Sequence, residues 1–331
     1  MKQQYLLGPL LLLLFLAGTA FSTATPKSIE STSAASVVAP TTASIAFPID
    51  GQGLYESCPL RSVASCLSHL DQMAAVGFKL VMNYAGLRGH ASDLLTYANH
   101  TRSVGMRVIW SLQDLRIWNG SDFSAVYPEL TADSGCAHTD DVCLTTYVVN
   151  LVKGLPGTWG YYVGDEVNPS LHNLLKVHTD LIHQLDPNHP RLFVDGVSHW
   201  TPVSIAKGTS VFHDVSDIVE SNYYPIGYYS GNSISDVATY AKGIQAYANH
   251  YSLQSAMGLQ AVSWAEYYPP ARCSPFPSCA PFPTAQQMRS MRDLALSNMH
   301  PRLLLWYSYF DVLRSDNPIK NWVDLAYAAN G

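Results

Sequence analysis

Residues 159–166, Trp-Gly-Tyr-Tyr-Val-Gly-Asp-Glu, form an apolar run of strand length that ends in two acidic residues. The stretch from Ser170 to Leu185 follows, with apolar residues at steps of three and four, a spacing that predicts a helix. This unit of strand and then helix recurs along the chain. Alternating units of this kind imply parallel strands joined by right-handed crossovers, so the run indicates an α/β fold.

The chain contains eight short apolar runs that predict strands. They are Ser44 to Pro48, Lys79 to Asn83, Arg107 to Leu112, Gly160 to Gly164, Arg191 to Val194, Ile218 to Asn222, Gln260 to Trp264 and Leu303 to Tyr307. Eight βα units fit a closed (β/α)8 TIM barrel better than an open doubly wound sheet, which remains the alternative. Such an open sheet normally carries a glycine-rich phosphate turn leading into a helix, and Gly51-Gln52-Gly53 lacks that helix start.

The first 42 residues differ in composition from the rest. Residues 1–24 have the pattern of a signal peptide, with Lys2 before an apolar run, and cleavage is expected after Ala20 or Ala24. An uncleaved membrane anchor is the alternative. Residues 25–42 are rich in Ser, Thr, Ala and Pro and predict a disordered linker, which leaves residues 43–331 as the (β/α)8 domain. We therefore expect a secreted, extracellular protein that has no membrane contact after cleavage.

Charge and cysteine content restrict the possible partners. The formal net charge is -6 and no run of Lys and Arg occurs, which argues against a nucleic-acid partner. Six cysteines allow about 15 disulfide connectivities, and export favours oxidation. We expect the three local pairs, Cys58 with Cys66, Cys136 with Cys143 and Cys273 with Cys279. A zinc site is the competing interpretation, but no CxxC motif is present and we expect no metal or cofactor.

Functional residues of TIM barrels lie at the carboxyl ends of the strands. The sequence places polar or aromatic side chains after most predicted strands. As candidates we take Asp50, Asn83, Gln113, Asp165, Glu166, Asn222, Tyr224, Trp264, Glu266, Tyr268 and Trp306.

Glu166 and Glu266 stand out among these candidates. They end the fourth and seventh predicted strands, which face each other across the mouth of an eight-stranded barrel. Alternation along a strand puts Glu166 on the side of Tyr162, and Glu266 on the side of Trp264. Two carboxylates about 5 Å apart at such a mouth are typical of a retaining glycosidase. Taken singly, each Glu is also compatible with a helix cap or a surface ion pair.

These residues resemble the clan of retaining (β/α)8 glycoside hydrolases. The similarity lies in residues 159–166, in Asn222-Tyr223-Tyr224-Pro225, in Trp264-Ala265-Glu266 and in Trp306. The resemblance implies that Glu166 is the acid/base and Glu266 the nucleophile, with Tyr224 and Trp306 in the catalytic subsite. The chain departs from the clan at Asp165, where Asn usually precedes the acid/base. Which of the two acids donates the proton, and whether the mechanism is retaining, are therefore open.

The hypothesis from sequence is a secreted glycoside hydrolase acting on an oligo- or polysaccharide. A non-catalytic carbohydrate-binding barrel is the first alternative. A metal-dependent barrel hydrolase is the second, but the first predicted strand ends in Asp50 without the His-x-His of that class. Serine catalysis would require a Gly-x-Ser-x-Gly motif, which the chain lacks.

Overall fold

Eight parallel strands close into a single barrel in the computed structural model, which describes residues 48–115, 122–195, 212–227, 233–264 and 282–330. Each strand pairs with the next along the chain, and the eighth pairs with the first through Gly53 and Leu305. This confirms the TIM barrel. The strands are β1 Gln52–Glu56, β2 Leu80–Asn83, β3 Arg107–Ser111, β4 Thr158–Asp165, β5 Arg191–Asp195, β6 Ile218–Tyr223, β7 Gln254–Gln260 and β8 Leu303–Tyr307.

Helices of the described residues follow most strands, as the sequence pattern predicts. They are α1 Val63–Ala75, α2 Ala91–Ser103, α3 Phe123–Val126, α4 Pro128–Ser134, α5 Asp141–Val152, α6 His172–Leu185, α7 Asp236–Tyr251, α8 Ala285–Asn298, α9 Tyr309–Arg314 and α10 Pro318–Asn330. Capping residues fix several of their starts. The Thr284 side chain accepts from the backbone N–H of Gln287, whose own side chain reaches back to Thr284 and completes a capping box at α8.

Two apolar layers stabilise the barrel, one inside the strands and one between strands and helices. Alternation along each strand divides the side chains between the layers. In β8, Leu303 and Leu305 point inward, while Leu304 and Trp306 pack toward the helices. The inner layer comprises Tyr55, Leu80, Met82, Ile109, Trp159, Tyr162, Leu192, Val194, Ile218, Ala256, Leu303 and Leu305.

Two of the predicted strands are shifted along the chain. β1 covers Gln52–Glu56 rather than Ser44 to Pro48, and β7 covers Gln254–Gln260 rather than Gln260 to Trp264. Both observed strands begin and end with polar residues, so the apolar pattern of the sequence does not mark them. Those ends are partnered: the Gln52 side chain binds Trp306 and Ala329, and Glu56 accepts from the backbone of Ser57.

Two of the three expected disulfides are present. Cys58 bonds to Cys66, and Cys136 bonds to Cys143. The third expected pair, Cys273 and Cys279, lies outside the described residues. Within the ranges given above, no helix combines the length and apolar character that crossing a bilayer requires.

Candidate active site at the carboxyl end of the barrel

A β-bulge near the end of β4 decides which acidic residue enters the barrel. The register with β5 shifts between Tyr162 and Gly164. A Cβ built on Gly164 would meet Phe193 and Val167, which belong to the helix-facing layer, so Gly164 points outward. The shift moves Asp165 to the inner face, where its carboxylate accepts a hydrogen bond of 3.2 Å from the Tyr84 hydroxyl. The expectation that Glu166 lies on the side of Tyr162 is corrected, because Asp165 takes the inner position.

Asp165 lies in an environment that disfavours its charge. Burial is the largest cause, and the negative charge of Glu166 adds to it. Hydrogen bonds from Tyr162 and Tyr84 act in the opposite direction but are weaker. The net effect raises the pKa of Asp165 to about 6. A carboxyl group with this pKa exchanges a proton near neutral pH, which is the property required of a general acid or base.

Glu166 occupies the next position, in an unusual backbone conformation. Its φ of 47° lies in the left-handed region, which a residue other than glycine rarely adopts. Its backbone N–H still donates to the carbonyl of Val194 at 2.9 Å, so pairing with β5 continues, and its side chain is exposed. The negative charge of Glu166 acts on residues of the mouth, because it contributes to the raised pKa values of Asp165 and Tyr224. Backbone strain of this kind is concentrated at functional sites.

A third acid, Glu220 on β6, points into the barrel and was not among the predicted site residues. Its side chain is fully buried, and Tyr55 donates to Oε1 at 2.6 Å. Burial, with a smaller contribution from the charge of Asp165, raises the pKa of Glu220 to about 8. The sequence of β6, Ile218-Val219-Glu220-Ser221-Asn222, could have identified this residue, because alternation along the strand places Glu220 on the same inner face as Ile218.

Aromatic rings that contact one another form a continuous belt beside Asp165 and Glu220. The Tyr55 ring stacks on Tyr84 with centroids 5.5 Å apart and meets the edge of Tyr307 at 5.4 Å. Tyr307 stacks on Tyr224 at 5.4 Å, and Tyr224 lies 6.1 Å from Trp264. We call this set, Tyr55, Tyr84, Tyr162, Tyr224, Trp264 and Tyr307, the aromatic belt. Flat apolar faces next to polar groups suit a ligand that has both, such as a sugar ring.

Several predicted site residues do reach the mouth. Asn222 lies on the inner face of β6, two positions beyond Glu220, and Tyr224 follows it. Trp264 lies four residues beyond β7 and contacts Tyr224. Gln113 is half-buried in a short 3-10 turn after β3. The structure thus brings Asp165, Asn222, Tyr224 and Trp264 together at the mouth. Gln113 lies just beyond the end of β3, the strand next to β4.

Trp306 does not face the mouth, and its expected place in the sugar subsite is corrected. Alternation from the inward Leu305 directs the indole toward the helices, where it is fully buried and donates to the Gln52 side chain at 2.8 Å. Its neighbour Tyr307 takes the inner position instead.

Asn83 is also a structural residue. Its side-chain oxygen accepts from the backbone N–H groups of Cys58 and Ala85, and its amide donates to the Cys58 carbonyl at 2.8 Å. These bonds hold the loop after β1 against the end of β2. The amide that the sequence suggested for ligand binding is therefore occupied by the backbone.

Asp50 lies at the opposite end of the barrel. Because β1 begins at Gln52, Asp50 precedes the strand rather than following it. Its carboxylate accepts from Trp159 at 3.1 Å and forms ion pairs with Arg107 and Arg302. The expected role of Asp50 in substrate binding is corrected.

Glu266 and Tyr268 lie outside the described residues, so the separation of the Glu166 and Glu266 carboxyl groups remains a prediction. Within the described part of the chain, no group of three or more His, Cys, Asp or Glu side chains is arranged to hold a metal ion.

Solved structures with a similar fold include several glycoside hydrolases. A putative α-L-fucosidase from Bacteroides thetaiotaomicron has a TM-score of 0.56 at 9% identity, over 92% of this chain and 97% of that one. A GH5_18 variant from Streptomyces cattleya, in complex with Manβ1-4GlcNAc, scores 0.50 at 13% identity, over 78% and 71%. A GH2 β-galacturonidase from Eisenbergiella tayi scores 0.52 at 13% identity, and the match covers 79% of this chain but only 43% of that one.

No family model and no curated protein sequence matches the chain. At these identities the structural likeness establishes the fold, a closed barrel of a kind that glycosidases use.

Proposed function

We propose that the chain is a glycoside hydrolase that cleaves an O-glycosidic bond at the mouth of the barrel. The observation that carries the proposal is that two acids, Asp165 and Glu220, lie against the aromatic belt beside Glu166, with a pKa of about 6 at Asp165. Acids of perturbed pKa at the carboxyl end of a TIM barrel are typical of catalytic sites. The aromatic belt supplies faces on which a sugar ring can stack.

Glu166 and Glu266 are the proposed catalytic pair. In the first step the acid/base Glu166 protonates the glycosidic oxygen as that bond breaks, and the Glu266 carboxylate bonds to the anomeric carbon. In the second step Glu166 takes a proton from water, whose oxygen displaces Glu266 and restores both acids. The product then keeps the anomeric configuration of the substrate.

Asp165 is the proposed partner of Glu166 in holding the proton. The two are adjacent, and the negative charge of Glu166 helps to raise the pKa of Asp165, which favours a proton on Asp165. The hydroxyl of Tyr84, which donates to Asp165, keeps that carboxylate in place on the inner face. An oligo- or polysaccharide is the proposed substrate.

The test is hydrolysis of a panel of p-nitrophenyl glycosides and polysaccharides by wild type, Glu166→Gln and Glu266→Gln. Glu129→Gln is the matched control, because Glu129 lies on α4, outside the proposed site, in a partly buried ion pair with Arg61. Loss of a general acid/base typically costs about 10²–10⁴-fold in rate. Full activity in either site variant removes that residue from the mechanism. Sugar binding without turnover by wild type would favour the non-catalytic barrel.

Proton NMR of the first-formed anomer separates the two stereochemical routes. Retention supports the double displacement described above. Inversion would instead fit carboxyl groups about 6.5–9.5 Å apart with a water molecule between them.

Export of the chain is a further part of the proposal. Support comes from the apolar run Tyr5 to Ala17 and from the two disulfides, since disulfides persist in oxidising compartments. We expect residues 1–24 to be removed as a signal peptide and 25–42 to act as the linker to the catalytic domain, 43–331. N-terminal sequencing of protein recovered from the medium checks this. A mature chain that begins at Met1 would contradict it.

A further inference from the structure

The inner face of β6 holds three polar side chains in a row. Glu220 and Asn222 lie on this face together with the apolar Ile218, while Val219 and Ser221 point outward. Tyr224, the third polar residue, continues the same face beyond the strand. Gly258 on β7 makes this arrangement possible. A Cβ at that position would lie 2.0 Å from Oδ1 of Asn222 and 2.8 Å from Oε1 of Glu220. The two polar side chains therefore occupy space that β7 leaves open.

Each of these three polar side chains, Glu220, Asn222 and Tyr224, has a buried atom that finds no partner in the described part of the chain. Among the described residues, Oε2 of Glu220, Oδ1 of Asn222 and the hydroxyl of Tyr224 are buried and make no hydrogen bond. The other Glu220 oxygen is fixed, because Tyr55 donates to Oε1 at 2.6 Å. Buried polar groups are normally hydrogen-bonded, and a run of three exceptions on one face of a barrel mouth indicates a ligand-binding surface.

The protonation state of Glu220 defines what Oε2 offers to a ligand. With its pKa raised to about 8, the carboxyl group is neutral at pH 7. Because Oε1 accepts from Tyr55, the proton resides on Oε2, which becomes a hydrogen-bond donor. Asn222 Oδ1 beside it is an acceptor, and the Tyr224 hydroxyl is both. A donor next to an acceptor complements hydroxyl groups, each of which donates and accepts.

We propose that Glu220 is a substrate-binding residue that donates a hydrogen bond from Oε2 to one hydroxyl group of the sugar ring lying deepest in the mouth. This inference rests on the proposed function and deepens it. It names the class of group recognised, an uncharged hydroxyl, and gives Tyr55 the positioning role of fixing the carboxyl group. It also distinguishes Glu220 from Asp165 and Glu166, which serve the proton transfer.

The titration of Glu220 can be isolated from that of its neighbours. The groups that face it among the described residues are Asp165 and the tyrosines 55, 162 and 224. Burial raises the pKa of each of these tyrosines further above 10, and Asp165 titrates near 6. Of these groups, Glu220 alone changes charge near pH 8. Loss of the donor proton should therefore weaken sugar binding as pH rises through 8.

The experiment compares Glu220→Gln with Glu220→Met on p-nitrophenyl glycosides and their monodeoxy derivatives. KM and kcat/KM come from initial rates, and dissociation constants come from titration calorimetry with the methyl glycosides. Gln keeps a donor at this position without an ionisable group, whereas Met has a similar length and no donor. Ser221→Ala is the control, because Ser221 lies on the outward face of the same strand. Thermal denaturation of each variant verifies that it is folded.

For Glu220→Met we expect a loss of 10-fold or more in kcat/KM on the fully hydroxylated glycoside. The loss should disappear for one monodeoxy derivative only, the one that lacks the hydroxyl bound by Oε2. Glu220→Gln should retain most of the sugar affinity of wild type. In this variant the affinity should no longer fall as pH rises through 8. Ser221→Ala should behave as wild type.

Several results overturn the inference. The first is wild-type binding by a folded Glu220→Met protein, and the second is an equal loss on every monodeoxy derivative. If Glu220→Met behaves as wild type while Glu166→Gln is inactive, only the role of Glu220 is refuted. Sugar binding without turnover refutes the hydrolase but leaves the calorimetric test of Glu220 valid. If no glycoside binds or is cleaved, both proposals are wrong.

Discussion

The two ends of the barrel shift the pKa values of their aspartate carboxyl groups in opposite directions. At the amino-terminal end, burial alone would raise the pKa of Asp50, but hydrogen bonds and charges from Arg302, Trp159 and Arg107 outweigh it and lower the pKa. At the mouth, burial prevails and raises the pKa of Asp165 to about 6. Both are aspartates beside strand ends, so the difference comes from the partners that each end supplies.

The same contrast extends to other acids. Near the amino-terminal end, bonds from Arg191 outweigh burial and lower the pKa of Asp217, and bonds from Tyr161 and His189 do so for Asp186. Beyond β3, burial raises the pKa of Asp114 despite a hydrogen bond from Tyr127. The amino-terminal end uses its carboxylates for stability, whereas the mouth leaves protonatable carboxyl groups for chemistry.

The largest expected effect is the loss of activity on removing an acid from the mouth. We expect Glu166→Gln to lower kcat/KM by about 10²–10⁴-fold, since a general acid/base is lost. Stability should change little, because this side chain is exposed. Initial rates and thermal denaturation measure the two quantities. Wild-type activity in this variant would place the proton transfer elsewhere.

Asp50→Asn should reduce stability at the amino-terminal end of the barrel and leave the activity unchanged. Two partly exposed arginines lose their anionic partner, so we expect the free energy of unfolding to fall by about 1–3 kcal/mol. Because Asp50 lies at the far end of the barrel, kcat/KM per folded molecule should match wild type. Urea denaturation and initial rates test this. Selective loss of activity would contradict the assignment of Asp50 to stability.

Gly258→Ala tests whether β7 holds open the space for the polar face of β6. The added methyl group would collide with Asn222 and Glu220, so we expect weaker substrate binding and a stability loss of about 1–3 kcal/mol. Gly154→Ala is the matched control, because a Cβ there meets nothing within 4 Å. A rise in KM in both variants, or in neither, would show that the close approach at Gly258 has no functional consequence.

Glu220 should also make the stability of the protein depend on pH. Its pKa is about 4.5 when unfolded and about 8 when folded, so the unfolded chain releases the proton first as pH rises. Its contribution is therefore complete below pH 4.5 and lost by pH 8. Relative to Glu220→Gln, wild type should lose up to about 1.4 kcal/mol per pH unit in that window. Urea denaturation of both proteins from pH 5 to 9 measures the difference. A constant difference would mean that Glu220 titrates normally.

The barrel was predictable from the sequence because six of its eight strands are apolar runs within a residue or two of their true positions. β1 and β7 were misplaced because Gln52, Glu56, Gln254 and Gln260 give those strands polar ends. Tertiary partners stabilise Gln52, Glu56 and Gln260, and no local pattern reports such partners.

The candidate site was predictable in part. Asp165, Asn222, Tyr224 and Trp264 lie at the mouth as expected. Asp50 was misplaced by the shifted first strand, and Trp306 was assigned to the wrong face, although alternation from Leu305 predicts its outward position. The bulge before Gly164 places Asp165, rather than Glu166, on the inner face of the barrel. This bulge depends on the pairing of β4 with β5, which the local sequence does not reveal.

We conclude that carboxyl groups at the mouth hold protons at a pH where those of the amino-terminal end are ionised. Carbon-13 NMR titration of the side-chain carboxyl signals, assigned with Asp50→Asn, Asp165→Asn and Glu220→Gln, measures this directly. We expect Asp165 to titrate near pH 6 and Glu220 near pH 8, and Asp50 to titrate below its ordinary 3.8. Titration of all three between about pH 3.8 and 4.5, their unperturbed values, would contradict it.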